Sequence, residues 1–176
     1  MEKTKFDFIE FIKSLLIAGV LAFFIITFIA QSFVVKGSSM EPNFHNGERL
    51  FVNKFIYNFK NIERFDIVVF TPKINKKVKY IKRVIGLPGE TISIRNNTIL
   101  INGKPLKNNN KIKEKMNMNK VYFPKTKIPK NHVFVMGDNR NNSLDSTEFG
   151  PISINSISGE AFWVYWPITK MRFINS

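Results

Sequence analysis

Three short segments place Gly, Ser, Lys, Asp and Asn in arrangements that plain β packing does not require. They are Gly37-Ser38-Ser39-Met40-Glu41-Pro42, the run Tyr80-Ile81-Lys82-Arg83-Val84-Ile85-Gly86-Leu87-Pro88-Gly89-Glu90, and Gly137-Asp138-Asn139-Arg140-Asn141-Asn142-Ser143-Leu144-Asp145-Ser146. Taken singly, each has a plain structural reading: a polar linker, a strand with a solvated Lys-Arg pair ending in a turn, and an Asx-rich loop. Taken together, they offer hydroxyl nucleophiles and a base. A serine hydroxyl is a weak nucleophile until a base takes its proton, and a lysine serves as that base only if its pKa falls toward the working pH. Burial lowers it, because desolvation disfavours the ammonium form. From a reference near 10.4, a drop of about 2–3 units makes a useful fraction neutral, at roughly 1.4 kcal/mol per unit. The competing base is a histidine, and the chain has two. His45 lies in the turn-like stretch Asn43-Phe44-His45-Asn46-Gly47, six residues from Ser39, and His132 follows Pro129-Lys130-Asn131, where an exposed loop histidine is the ordinary expectation.

The elements that position these segments are legible from composition and periodicity. A chain of 176 residues fits one domain with an ordinary core plus an extra segment. Cysteine is absent and histidine occurs twice, which excludes a disulfide framework and a thiolate zinc site; no metal or cofactor is expected. The net charge of +14 comes from lysines scattered along the chain and not interleaved with aromatics, so nucleic acid is not an expected partner. From Leu15 to Ala30 the run LLIAGVLAFFIITFIA carries Thr27 as its only clearly polar residue. Continued through Val35 it is long enough for a bilayer, where about 20 helical residues are needed and only internal hydrogen bonds satisfy the backbone. The expected division is a short N-terminus over 1–13, a transmembrane anchor over 14–35 and a β domain over 36–176. A cleaved signal peptide is the rival, with Ala30-Gln31-Ser32 supplying small residues two apart, but the apolar run exceeds the usual ~7–15 residues of such a segment. A buried soluble helix would need a polar face, which this stretch lacks. Lys3, Lys5 and Lys13 before the run nearly balance Lys36, Arg49 and Lys54 after it, so charge does not set the orientation.

Beyond Val35, short alternating runs separated by turn residues predict strands over Arg49–Phe55, Asp66–Phe70, Val78–Ile85, Thr91–Arg95, Thr98–Ile101, Val133–Met136 and Glu160–Tyr165. Asn96-Asn97 and Asn102-Gly103 suit turns needing positive φ, and Leu87-Pro88-Gly89 ends its strand. Lys107–Lys120, KNNNKIKEKMNMNK, is too polar for the core and reads as a surface excursion. The predicted fold is mainly β: one N-terminal transmembrane helix followed by an antiparallel β domain.

In this order behind an apolar N-terminal segment, the three segments resemble the signature boxes of the bacterial type I signal peptidases. Arg64-Phe65-Asp66-Ile67-Val68-Val69-Phe70, His132-Val133-Phe134-Val135-Met136 and Gly159-Glu160-Ala161-Phe162-Trp163-Val164-Tyr165-Trp166-Pro167 extend the match over nearly all of residues 15–170. The resemblance implies that Ser39, before Met, is the nucleophile and Lys82, the lysine of Tyr-Ile-Lys-Arg, its general base. The endoplasmic-reticulum relatives have histidine where this chain has Lys82. Strand period places Tyr80 and Lys82 on one face, so Tyr80 can help shield the amine. Ser143 matches the family serine that hydrogen-bonds the lysine, while Asp138 and Asp145 match acidic residues that organise the loop. The family usually has a basic residue two after Asp145; here it is Thr147, which leaves Arg83 or Arg140 as substitute partners. The oxyanion hole is similarly partial, since Gly37 stands where many Gram-negative members carry a hydroxyl, leaving the Ser39 N–H with backbone or solvent as second donor. A donor lost without replacement costs about 3 kcal/mol.

By the same resemblance the substrate pockets are walled by Phe33, Val35, Met40, Phe44, Leu50, Val69, Tyr80 and Ile81, any of which also suits plain core. Shallow pockets would read an Ala-x-Ala pattern in the signal peptides of secreted preproteins. Membrane lipid is the other implied partner and the secretion translocon a further one. The implied location is the bacterial cytoplasmic membrane, single-pass, with the catalytic domain on the extracytoplasmic side. Two other classes share features with the chain. A self-cleaving serine-lysine repressor would carry a DNA-binding domain in place of the apolar run, and a non-enzymatic anchored β domain would lack Ser39 or Lys82.

Overall fold

A computed structural model describes residues 8–24, 30–106 and 122–174. Helix α1 (Phe8–Phe24) leads into strands β1 (Ala30–Val34), β2 (Arg49–Asn53), β3 (Ile67–Phe70), β4 (Tyr80–Gly86), β5 (Thr91–Arg95), β6 (Thr98–Ile101) and β7 (Lys104–Pro105). Strands β8 (Phe123–Lys127) and β9 (His132–Met136), the one-turn helix α2 (Ser146–Phe149), β10 (Ile152–Ser153), β11 (Ile157–Trp166) and β12 (Arg172–Phe173) complete the described chain. The segment 107–120, expected to be a surface excursion, lies outside the described residues.

Two antiparallel sheets result. The larger runs β1-β2-β11-β3-β4-β9-β10 with β12 added to β11, and the smaller runs β7-β6-β5-β8. The smaller sheet contains the turns that the asparagines foretold: Asn96 and Asn97 (φ 46° and 59°) join β5 to β6, and Asn102 and Gly103 (φ 52° and 79°) join β6 to β7. Its isoleucines 92, 94, 99 and 101 pack with Ile85, Ile128, Phe134 and Met136 in one core cluster. On the larger sheet Val35, Met40, Phe44, Leu50, Val52, Ile67, Val69, Ala161 and Val164 form a second. Val68, Phe70, Val84, Val133, Val135 and Ile152 form a third. Strand β4 lies between these cores, and its residues from Lys82 to Gly86 are all buried.

The N-terminal expectation needs correction. Helix α1 starts at Phe8 and ends at Phe24, and Ala30–Val34, assigned from sequence to the span, is a strand whose five residues pair with Asn53 through Arg49 of β2. Gln31 and Ser32 interrupt the apolar run, and the sheet edge offers their backbone the partners that a helix would otherwise supply. Phe33 packs on the second core cluster. Among the described residues no helix is long and apolar enough to cross a membrane. The 17 residues of α1 reach about 25 Å at ~1.5 Å per residue, against a hydrocarbon core of about 30 Å. From Phe8 to Leu21 the helix is nonetheless exposed, with Leu15, Leu16, Ile17 and Val20 each at least 60% accessible.

Candidate active site

Ser39 sits in the connection between β1 and β2. Val35 and Gly47 close its base, with Val35 N–H donating to Glu48 O (2.8 Å) and Gly47 N–H to Val35 O (2.9 Å). At its tip a tight turn is closed by Glu41 N–H to Ser38 O (3.1 Å) and Phe44 N–H to Met40 O (2.9 Å). The buried side chains of Met40 and Phe44 fasten this turn to the core. Strand β4 brings Lys82 beneath it, paired across the sheet with Val68 of β3. Lys82 Nζ donates to Ser39 Oγ at 2.6 Å. The lysine is 4% exposed, and burial pushes its pKa down to about 8, against the smaller opposing pull of the Asp145 and Asp138 carboxylates. The Tyr80 ring, on the same face of β4, stands 5.8 Å from Nζ.

The third segment closes over the pair from the other side. Asn139 N–H donates to Ser39 O (3.0 Å), Asn139 Nδ2 to Ser38 O (3.1 Å) and Asn142 Nδ2 to Ser38 Oγ (2.9 Å). Gly137 makes this approach feasible, since a Cβ there would lie 2.2 Å from Ser143 Oγ and 2.4 Å from Ser39 O. Asp138 is fully buried and held by the Arg83 fork, Nε to Oδ1 at 2.8 Å and Nη2 to Oδ2 at 2.7 Å. Asp145 caps α2: it accepts from Thr147 N–H (3.1 Å), Thr147 Oγ1 (2.8 Å) and Gly137 N–H (3.0 Å). The residue that replaced the expected cation is thus itself a partner of Asp145. Arg83, one of the two arginines considered as a substitute, is committed to Asp138.

Other expectations are met differently. Ser143 Oγ is buried without a hydrogen-bond partner and makes no hydrogen bond to Lys82, whose amine donates to Ser39. Of the eight residues proposed as pocket walls, Tyr80 and Ile81 line the open cleft of about 220 Å³ above Ser39 and Lys82. Val35, Met40, Phe44, Leu50 and Val69 are buried core members, with Phe33 packed against them: Leu50 and Val69 lie on β2 and β3, and Val35, Met40 and Phe44 pack onto the same cluster from the connection between β1 and β2. Lys36, Lys79 and Leu144 supply the remaining cleft walls. Sequence gave no signal for these three, because neighbours in a cleft come from different strands and loops. His45 lies 3.9 Å from Glu41 at the surface and His132 Nδ1 contacts Lys130 O, so neither is the partner of Ser39. Among the described residues no cluster of His, Cys, Asp and Glu could hold a metal ion.

Fold and site together define an antiparallel β protein whose cleft joins a serine hydroxyl to a desolvated lysine amine. Comparison with known proteins gives this class its family. The family model for signal peptidase, peptidase S26, matches residues 8–166. A signal peptidase I P of Bacillus subtilis subsp. natto is 40% identical over 97% of this chain and 96% of its own length. A signal peptidase I of Bacillus amyloliquefaciens is 44% identical over 93% of this chain and 88% of its own. A crystal structure of a signal peptidase I from Enterococcus faecalis, 35% identical, matches at a TM-score of 0.48 over 57% of this chain and 97% of that one. The chain belongs to the peptidase S26 signal peptidase family, and is a peptide-bond hydrolase.

Proposed function

We propose that the chain is a membrane-associated serine endopeptidase that removes signal peptides from exported preproteins after an Ala-x-Ala-type site, using Ser39 and Lys82 as a dyad. The observation that carries this reading is the 2.6 Å contact between Ser39 Oγ and a lysine amine desolvated at the floor of an open cleft. Neutral Lys82 takes the Ser39 proton as Oγ attacks the scissile carbonyl carbon. The resulting ammonium returns that proton to the leaving amine as the C–N bond breaks, leaving an acyl-enzyme. Water then attacks the ester with the same amine as base, releasing the carboxylate product and regenerating Ser39. The Ser39 N–H is positioned by sequence to stabilise the oxyanion. Tyr80 and Ile81 bound the substrate cleft, and Asp138 and Asp145 hold the loop beside it through Arg83, Gly137 and Thr147, the loop in which Ser143 lies.

Membrane association is supported by the exposed apolar length of α1 and by family membership. The catalytic domain is placed on the extracytoplasmic side, where cleavage sites of exported chains emerge. The test is detergent-solubilised protein with a preprotein substrate: wild type yields the mature product, and Ser39→Ala and Lys82→Ala yield none while remaining folded. A near-normal rate in either variant removes the dyad.

A further inference from the structure

Besides the loop after β9, the turn that carries Ser39 is held by a residue distant in sequence, Arg172. We infer that Arg172, on the two-residue strand β12, is a positioning residue for the nucleophile. The inference rests on the reading of Ser39 as nucleophile. Arg172 Nη2 donates to the backbone carbonyl of Asn43 (2.6 Å) and to Glu48 Oε2 (2.8 Å), while Nη1 donates to Glu48 Oε1 (3.2 Å) and Lys170 O (3.0 Å). Its guanidinium lies 5.4 Å from the centre of the Phe44 ring. One planar fork therefore ties the tip of the nucleophile turn, at Asn43, to the base of the same connection, at Glu48, and both to the strand that β11 holds. Strand β12 is itself fixed by the pairs Trp163↔Phe173 and Val164↔Arg172 and by Ile174 N–H to Phe162 O (2.9 Å).

The link continues to the base. Asn43 Nδ2 donates to Asp138 Oδ2 (2.8 Å), the carboxylate gripped by Arg83, and Arg83 adjoins Lys82. Asn43 thus offers its carbonyl to Arg172 and its side chain to Asp138, so both ties meet at one residue of the turn. Met40 and Phe44 pin the turn's depth through burial, but apolar packing is non-directional. The fork adds the directional contacts that set where Ser39 Oγ points. Lysine would not replace it, since a single ammonium lacks the bidentate geometry that reaches Glu48 and Asn43 at once.

The experiment measures kcat and KM on a preprotein-derived peptide, with folding checked by circular dichroism and Ser39→Ala as inactive reference. Arg172→Lys and Asn43→Ala are expected to lower kcat about ten- to a hundredfold, as misplacement by about 1 Å does. KM should stay within about twofold, because neither residue lines the cleft. The ascending pH limb should remain near 8, since Lys82 stays buried. Arg172→Ala strands Glu48, which is 2% exposed, so Arg172→Met with Glu48→Gln removes the charge and the fork together and should show the same kcat loss. Wild-type kcat in folded Arg172→Lys or in the double variant overturns the inference, as does a loss confined to KM or to thermal stability. If Ser39→Ala itself retains activity, it is the nucleophile reading that falls.

Discussion

At the scale of single residues, the proposed chemistry depends on how burial sets the charge of Lys82. Its pKa near 8 leaves the neutral form a minority at pH 7 and the majority above pH 8. The kcat/KM profile is therefore expected to rise through about pH 8 and level off above it. A limb near 6.5, the ordinary histidine value, that disappears in His45→Ala would identify a different base. The same depression has a stability signature of definite sign. Between about 8 and the reference value of 10.5, the unfolded state binds more protons than the native state, so stability rises with pH across that window. Below it the native state carries the whole desolvation cost, about 3 kcal/mol at ~1.4 kcal/mol per pKa unit. Lys82→Met should accordingly unfold at higher urea concentration than wild type at pH 7, with most of the gap gone by pH 10. Equal midpoints at pH 7 would mean that burial exacts no such cost. Ser143 adds a second case, since its hydroxyl is buried and unpartnered in the resting site. Ser143→Ala should leave cleavage within a few-fold of wild type and stability unchanged or slightly raised, because it deletes an unsatisfied polar group that makes no bond to Lys82. A marked fall in melting temperature would show that the hydroxyl is held by a bond after all.

At the scale of elements, the site is made by a close approach between the nucleophile turn and the loop after β9, and Gly137 is what permits it. Gly137→Ala should cost at least about a hundredfold in kcat, because its methyl would meet the Ser39 carbonyl at 2.4 Å; wild-type turnover would show that the loop retreats freely. Arg83→Met leaves a fully buried Asp138 without its fork and should destabilise the fold by about 3–5 kcal/mol in denaturant melts. Strands β5 and β6 were legible to the residue because period, β-branching and asparagine turns all agreed. Strand β8, FPKTK, was not, since its polar residues face outward and its pairing with β5 is a tertiary event. Strand β1 was misread because an apolar run has no internal mark where lipid ends and a sheet edge begins. At the site, Ser39 and Lys82 could be named from motif and chemistry. The Arg83–Asp138 fork and the Thr147 contact to Asp145 could not, because a fork partner is chosen by register across strands.

At the scale of the molecule, a basic β domain follows a helix whose residues Leu15 to Leu21 are uncharged, predominantly apolar and exposed. A net charge of +14 and the exposed α1 together favour an anionic bilayer surface. The full chain should co-sediment with vesicles containing anionic lipid, and deletion of residues 1–24 should abolish most of that binding while preserving peptide cleavage in detergent; retained binding would place the contact on the β domain. Protease added to intact spheroplasts should digest residues 36–176, and full protection would reverse the assigned side. The depressed basicity of Lys82 has a further meaning against this background of 27 Lys and Arg side chains. An amine that is about half unprotonated near pH 8 and lines a cleft is a nucleophile in its own right, whereas an ordinary surface lysine is almost wholly ammonium at that pH. Small acylating electrophiles should therefore discriminate among the molecule's lysines by protonation state, marking Lys82 ahead of its many exposed neighbours and making the proposed base a point of covalent attack.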